Sequence, residues 1–181
     1  MMKYCKNCLI PNTRPDQIFN EEGVCNACVS FKINKNINWA ERLKKLDEII
    51  SEAKSRSTSW DCVIPSSGGK DSTYQALWAR SKGLNPVLVT ASTCDLSEVG
   101  RKNLDNLKNL GFDAVEISNS SKTRAKLNKL SLELIGDISW PEHVSIFTTP
   151  IKFALKYKIP LILYGENPQI EYGGPDKSLS N

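Results

Sequence analysis

A doubly wound parallel α/β sheet, preceded by a small module held by four cysteines, is the fold this sequence predicts. Three observations predict it. Short apolar runs at 60–65, 86–91, 113–117 and 160–164 alternate with helical patterns, as in a parallel sheet with right-handed crossovers. A glycine turn, Ser67-Gly68-Gly69, joins the first run directly to a helix. Two Cys-x-x-Cys pairs, Cys5/Cys8 and Cys25/Cys28, precede all of it.

The chain has 181 residues and a net charge of +4. That length suits one α/β domain with a small appendage. The mild basic excess tolerates an anionic substrate without demanding nucleic acid. No apolar run approaches the ~20 residues of a membrane span, and Met1-Met2-Lys3-Tyr4-Cys5 has no signal-peptide core. The expectation is a soluble cytoplasmic protein, where clustered thiols more often hold metal than disulfides.

Residues 1–37 read as the cysteine module with its linker, and 38–181 as the α/β domain. Sixteen residues separate the two cysteine pairs, inside the range of paired zinc knuckles. Each knuckle places two thiolates on one tight turn, and two knuckles complete a tetrahedron. With Cys at all four positions the metal has no open site, which makes its role structural. A redox pair and an iron–sulfur site are the alternatives. Pro11, Pro15, Asn20 and Gly23 make the intervening segment turns or a short hairpin. Lys32 to Ile37 reads as a linker.

A helix is expected over 39–55, capped by Asn38 with Glu41 three residues on, and with Trp39, Leu43, Leu46, Ile50 and Ala53 as its stripe. The apolar run then delivers the chain to Ser66-Ser67-Gly68-Gly69-Lys70-Asp71-Ser72. Paired glycines let backbone approach a bulky anion, and a helix starting near Ser72 turns its free N–H groups and positive dipole end toward the same spot. Strand, glycine turn and helix N-terminus make a phosphate site. The spacing is not that of the Gly-x-x-x-x-Gly-Lys-Ser/Thr loop.

That helix should stop at Gly83. Pro86 to Ala91 follows as a buried strand. Asp95 and Glu98 offer the start of the next helix, with Leu104, Leu107 and Leu110 inward and Gly111 as terminator. A helix over 123–135 carries Leu127, Leu130 and Leu134 on one face. Its Lys122, Arg124, Lys126 and Lys129 read as a solvated face or an anion patch. Trp140 to His143 reads as a loop, and Thr149-Pro150 as N-cap and N1 of a short helix ending near Lys158. In a doubly wound sheet ligands sit at the carboxyl ends of strands where the order reverses. A fourth strand beside the first would bring the turn Gly165-Glu166-Asn167 to the same crevice.

The loop Ser67-Gly68-Gly69-Lys70-Asp71-Ser72 resembles the PP-loop of ATP pyrophosphatases. More narrowly, Tyr4-Cys5-Lys6-Asn7-Cys8, Gly111-Phe112-Asp113 and Tyr164-Gly165-Glu166-Asn167-Pro168 are similar to segments of the N-acetyl sugar amidotransferases of surface-polysaccharide biosynthesis, such as lipopolysaccharide O-antigen. The resemblance implies a fold of the adenine nucleotide α-hydrolase type and cleavage of ATP between its α- and β-phosphates. It also implies AMP transfer to the acetamido oxygen of a nucleotide sugar and displacement of AMP by ammonia from a glutaminase partner. Family members are longer, which implies a chain shortened at its C-terminus.

In that scheme Ser66, Ser67, Gly68, Gly69 and Ser72 bind pyrophosphate oxygens, and Lys70 offsets leaving-group charge. Asp71 holds Mg²⁺ or else caps the helix. Thr90 to Thr93, Ala91 included, flank adenosine, and Gly165 closes the crevice. Cofactors are then ATP, Mg²⁺ and a structural Zn²⁺. The lone His143 carries no assigned role. A tRNA-modifying PP-loop enzyme, with Cys62 or Cys94 carrying sulfur, is the rival enzyme, and an ATP-binding scaffold the non-enzymatic alternative.

Overall fold

The computed structural model describes residues 2–13, 17–92 and 96–166. The chain divides into two compact units, with the division inside one helix between Asp47 and Glu48. The expected features at Thr93, Cys94, Asp95, Asn167 and Pro168 lie outside the described residues.

In the first unit, antiparallel bridges pair Tyr4 with Pro11 and Phe19 with Cys25. Helix α1 (Asn26–Asn34) then begins directly on the second knuckle. Its N-cap is Cys25, whose sulfur accepts from the Cys28 N–H at 3.4 Å. The expected linker from Lys32 therefore starts later, because the knuckle's turn already supplies a helix nucleus. Helix α2 (Trp39–Arg56) starts as expected, with the Asn38 side-chain oxygen Oδ1 accepting from the Glu41 N–H at 3.2 Å. Ile50 and Ala53 of its stripe are buried, whereas Trp39 and Leu43 are exposed.

The second unit is the sheet. Strands β1 (Cys62–Pro65), β2 (Pro86–Ser92), β3 (Asp113–Ser118) and β4 (Leu161–Ile162) are all parallel, in the order β3-β2-β1-β4. Helices α3 (Lys70–Ser81) and α4 (Glu98–Asn109) link the first three strands, and α5 (Ser121–Ile135) and α6 (Trp140–Tyr157) lead back to β4. The strand order reverses at β1, so the sheet is doubly wound. β4 is shorter than its apolar run, although the Leu163 N–H still donates to the Val63 carbonyl at 2.9 Å.

Period-two alternation sends Val63, Val87 and Val89 to one face, where they pack with Phe153 and Ala154 of α6 and with Ile159. Ile64 and Leu88 point the other way, toward the side that α3 covers, and both are fully buried. Trp60 closes one end of the α6 side against Phe153 and Tyr157, with ring centroids 6.1 Å away in each case. Its indole N–H donates to Asp113 at 2.7 Å.

The later helices also differ from expectation at their boundaries. α4 is capped by Ser97, whose hydroxyl accepts from the Gly100 N–H at 3.2 Å, and Leu110 lies half outside the core. α5 begins at Ser121, and its Leu127, Leu130 and Leu134 face outward. The largest change is α6. Trp140 to His143 is its first turn and not a loop, and Pro150 lies within the helix and not at its start. Pro141 suits the first turn as well as Pro150 would. The helix continues through Pro150 because the ring is fully buried and Phe153 and Ala154 beyond it fill the core, which outweighs one lost backbone bond. Among the described residues no helix is long and apolar enough to cross a membrane.

Candidate functional site

The loop leaves the carboxyl end of β1 at Ser66, where the order of strands reverses. Ser66 is buried, its N–H donates to the Val89 carbonyl at 3.0 Å, and its carbonyl accepts from the Thr90 hydroxyl at 2.7 Å. Thr90 thus ties the end of β2 to the start of the loop. Ala91 follows it, half-buried, on the same strand end.

Gly68 is held in the left-handed region at φ +79°. A Cβ there would lie 3.1 Å from the Leu104 nitrogen and 3.2 Å from the Asn103 carbonyl carbon, so the loop rests on the backbone of α4. Gly69 is different. It is the N-cap of α3 at φ −73° and ψ 175°, a conformation any residue adopts, and a Cβ there would meet only the Ser67 hydroxyl at 3.3 Å.

The helix therefore starts at Lys70, two residues before the expected position. Asp71 lies in its first turn and is not the N-cap, which removes the capping role for it. The first intrahelical bond is the Thr73 N–H to the Gly69 carbonyl, 3.1 Å. The N–H groups of Lys70, Asp71 and Ser72 precede it and point out of the helix end, where the dipole is positive. The Gly68 N–H donates to the Ser66 hydroxyl at 3.2 Å and the Gly69 N–H to the Ser67 hydroxyl at 3.4 Å. Ser66 and Ser72 hydroxyls are themselves 3.2 Å apart. Serine oxygens thus lie where phosphate oxygens would accept. The long Ser67 contact, on an exposed side chain, is the easiest to displace.

Lys70 donates to both Asp71 carboxylate oxygens at 2.8 Å, with the two side chains 87% and 84% exposed. So exposed a pair is worth only about 0–1 kcal/mol. Either partner is free to turn to an anion or a cation at little cost.

Gln75, one turn into α3, went unnoticed in the sequence. Its amide donates to the Leu163 carbonyl at 3.1 Å, and a Cβ on Gly165 would lie 3.4 Å from its Oε1. This single side chain fixes the end of β4, and with it Gly165, beside the phosphate loop. No spacing in the sequence marked it, since its partner Leu163 lies 88 residues away. His143 lies in the first turn of α6.

In the first unit, the Cys5, Cys8, Cys25 and Cys28 sulfurs all lie within 4.8 Å of one another. Cys5 sits 4.0 Å from Cys28, and Cys8 3.6 Å from Cys25. Ile10, Phe19 and Val24 pack around them. The Cys5 thiol is opposed by burial, yet N–H groups aimed at it, with Cys25 and Asn7 donating at 3.2 and 3.4 Å, lower it to about 6. Cys8 has the Ile10 amide in its favour, but the crowding sulfurs, Cys28 foremost, and burial push it up to about 12. Four such thiols ionise together only around a cation, and the donor set suits tetrahedral Zn²⁺.

Cys62 is a core residue on β1. Burial, with Asp61 beside it, pushes its thiol up to about 12, which removes it as a nucleophile or sulfur carrier at neutral pH.

No family model and no curated protein matches the chain. Among solved structures, the NH3-dependent NAD synthetase of Campylobacter jejuni subsp. jejuni NCTC 11168, in complex with nitrate ion, is similar with a TM-score of 0.53. The identity is 18%, over 74% of this chain and 58% of that one. The chain shares the α/β fold of that synthetase. A predicted subunit of tRNA methyltransferase from Methanocaldococcus jannaschii DSM is 21% identical over 65% of this chain and 58% of that one, at a TM-score of 0.42. The chain spans 58% of the length of each.

Proposed function

We propose that the chain is an ATP-dependent amidotransferase acting on the acetamido group of a nucleotide-linked N-acetyl sugar. The observation that carries the ATP half is the loop: an αL glycine at the end of β1, followed at once by a helix N-terminus, at the point where strand order reverses. The acceptor half rests on the resemblance of the Tyr4, Gly111 and Tyr164 segments.

The β- and γ-phosphates would lie on the Gly68 and Gly69 backbone and the first-turn N–H groups, with the Ser67 and Ser72 hydroxyls donating. Each charge-assisted bond contributes about 1.5–3 kcal/mol. Lys70 would swing from Asp71 to the departing pyrophosphate. Mg²⁺ fits the exposed Asp71 carboxylate and, when bound, neutralises phosphate charge. The acetamido oxygen then attacks the α-phosphorus, pyrophosphate leaves, and an O-adenylyl imidate results. Ammonia adds at the imidate carbon, AMP departs with the former acetamido oxygen, and loss of a proton leaves the acetamidino group. The NAD synthetase that shares the fold is NH3-dependent, and ammonia is the nucleophile here too. A glutaminase subunit would supply it in the cytoplasm.

Incubation with ATP, ammonium and UDP-N-acetyl sugars should yield AMP, pyrophosphate and an amidine product by mass spectrometry. AMP formation that requires tRNA in place of the sugar would move the acceptor to nucleic acid. Asp71→Asn should lower pyrophosphate release by on the order of a hundredfold while leaving the melting temperature within about a degree, because its ion-pair partner among the described residues is an exposed lysine. Unchanged turnover would remove Asp71 from the mechanism.

A further inference from the structure

We infer that the cleft between the starts of α5 and α6 is a second ligand site, built for a hydroxyl-rich ring the size of a monosaccharide. It opens where the chain leaves β3, at Asn119 and Ser120, on the same carboxyl edge of the sheet as the phosphate loop. β3 stands two strands from β1, roughly 10 Å at the usual strand spacing. The site is thus separate from the loop and on the same rim.

The cleft holds about 240 Å³. Thr123, Arg124, Leu127, Pro141, Glu142 and Ser145 complete its walls. Leu127 and Pro141 give apolar surface for the C–H face of a ring. Arg124 and Asn119 carry N–H donors, Glu142 carries acceptor oxygens, and the hydroxyls do both. One guanidinium and one carboxylate leave the cleft without net charge, so it favours neither an anion nor a cation. A sugar hydroxyl, which donates and accepts at once, suits alternating donors and acceptors of this kind.

The decisive feature is a shortage of donors just behind the wall, where Glu142, which lines the cleft, meets Asn128, which does not. Asn128 donates its amide to Glu142 Oε1 at 2.6 Å, which fixes the carboxylate. Glu142 Oε2 and Asn128 Oδ1, both buried, then have no hydrogen-bond partner. Two adjacent orphan acceptors are costly in a fold unless something brings O–H or N–H groups to them. The Asn119 amide, for its part, donates to the Ser145 hydroxyl at 3.2 Å. A small turn of the Glu142 side chain toward the cleft would offer Oε2 to a hydroxyl.

This inference uses the proposed function only in choosing the probe, and it stands or falls separately. Saturation-transfer NMR on the full chain would use N-acetylglucosamine, UDP-N-acetylglucosamine and L-glutamine, with ATP binding followed by calorimetry. The expected result is sugar signal from the wild type and none from L-glutamine. Glu142→Gln keeps a carbonyl for Asn128 but turns the second acceptor into a donor, so it should weaken the sugar by about tenfold or more. ATP affinity should be unchanged, and the melting temperature equal or higher. Arg124→Gln, on the opposite wall, should weaken sugar without disturbing Asn128. Sugar binding that survives both changes, signal from L-glutamine in place of sugar, or no sugar signal from a chain that binds ATP would each overturn the site. Sugar binding in a chain that fails to bind ATP would leave the cleft standing and overturn the amidotransferase.

Discussion

Gly68→Ala should destabilise the sheet unit by on the order of 3 kcal/mol and abolish ATP binding with it. An alanine at φ +79° costs about 1–2 kcal/mol in backbone strain alone. Its Cβ would also press on the Leu104 nitrogen and the Asn103 carbonyl carbon, atoms of a helix backbone that cannot step aside singly. Overpacking of that kind adds roughly 1–3 kcal/mol. Thermal unfolding of the purified variant checks this, and an unshifted melting temperature would mean that the loop does not rest on α4 as described.

Loss of metal should have a still larger, but local, effect. Chelation under reducing conditions, or Cys25→Ser, is expected to unfold the first unit while the sheet keeps its own transition. Apparent zinc binding in small modules is worth roughly 10–16 kcal/mol, far more than so few residues gain by burial. Cys25 is the sharpest choice because its sulfur also caps α1. Metal analysis of reduced protein should find one zinc per chain. Iron in its place would make the centre an iron–sulfur site, and no metal at all would remove the structural role.

Much of this was readable from the residues, and the failures have physical causes. The four cysteines, the loop and the flanking apolar strands are local patterns: the four sulfurs lie within 4.8 Å of one another, and the loop joins β1 to α3. β4 lies beside β1, as the winding rule implied. What misled was punctuation. Pro150 carries the same signal whether it opens a helix or sits inside one, and only tertiary packing around Phe153 decides. Lys70-Asp71 read as turn because polar residues crowd it, yet Gly69 already has the N-cap geometry. The leucines of α5 have a helical period, but period alone does not say what a stripe faces, and Leu134 is 72% exposed. Gln75, Asn128 and Glu142 were invisible for a different reason. Their partners lie far away in the chain, and no spacing rule encodes a side chain reaching across elements.

The contrast between the two loop glycines isolates the central claim. Gly69 has ordinary dihedral angles and room for a methyl group beside a movable serine, so the fold has no need of glycine there. The proposed seat of a phosphate on its amide does. Calorimetric titration of ATP into the wild type and Gly69→Ala, with both melting temperatures recorded, is therefore the most direct measurement. The account predicts closely similar stability and at least about a tenfold loss of affinity, because the added methyl group keeps a phosphate from closing on the loop backbone. Equal ATP affinity in the two proteins would contradict it, since the glycine pair would then be only a turn.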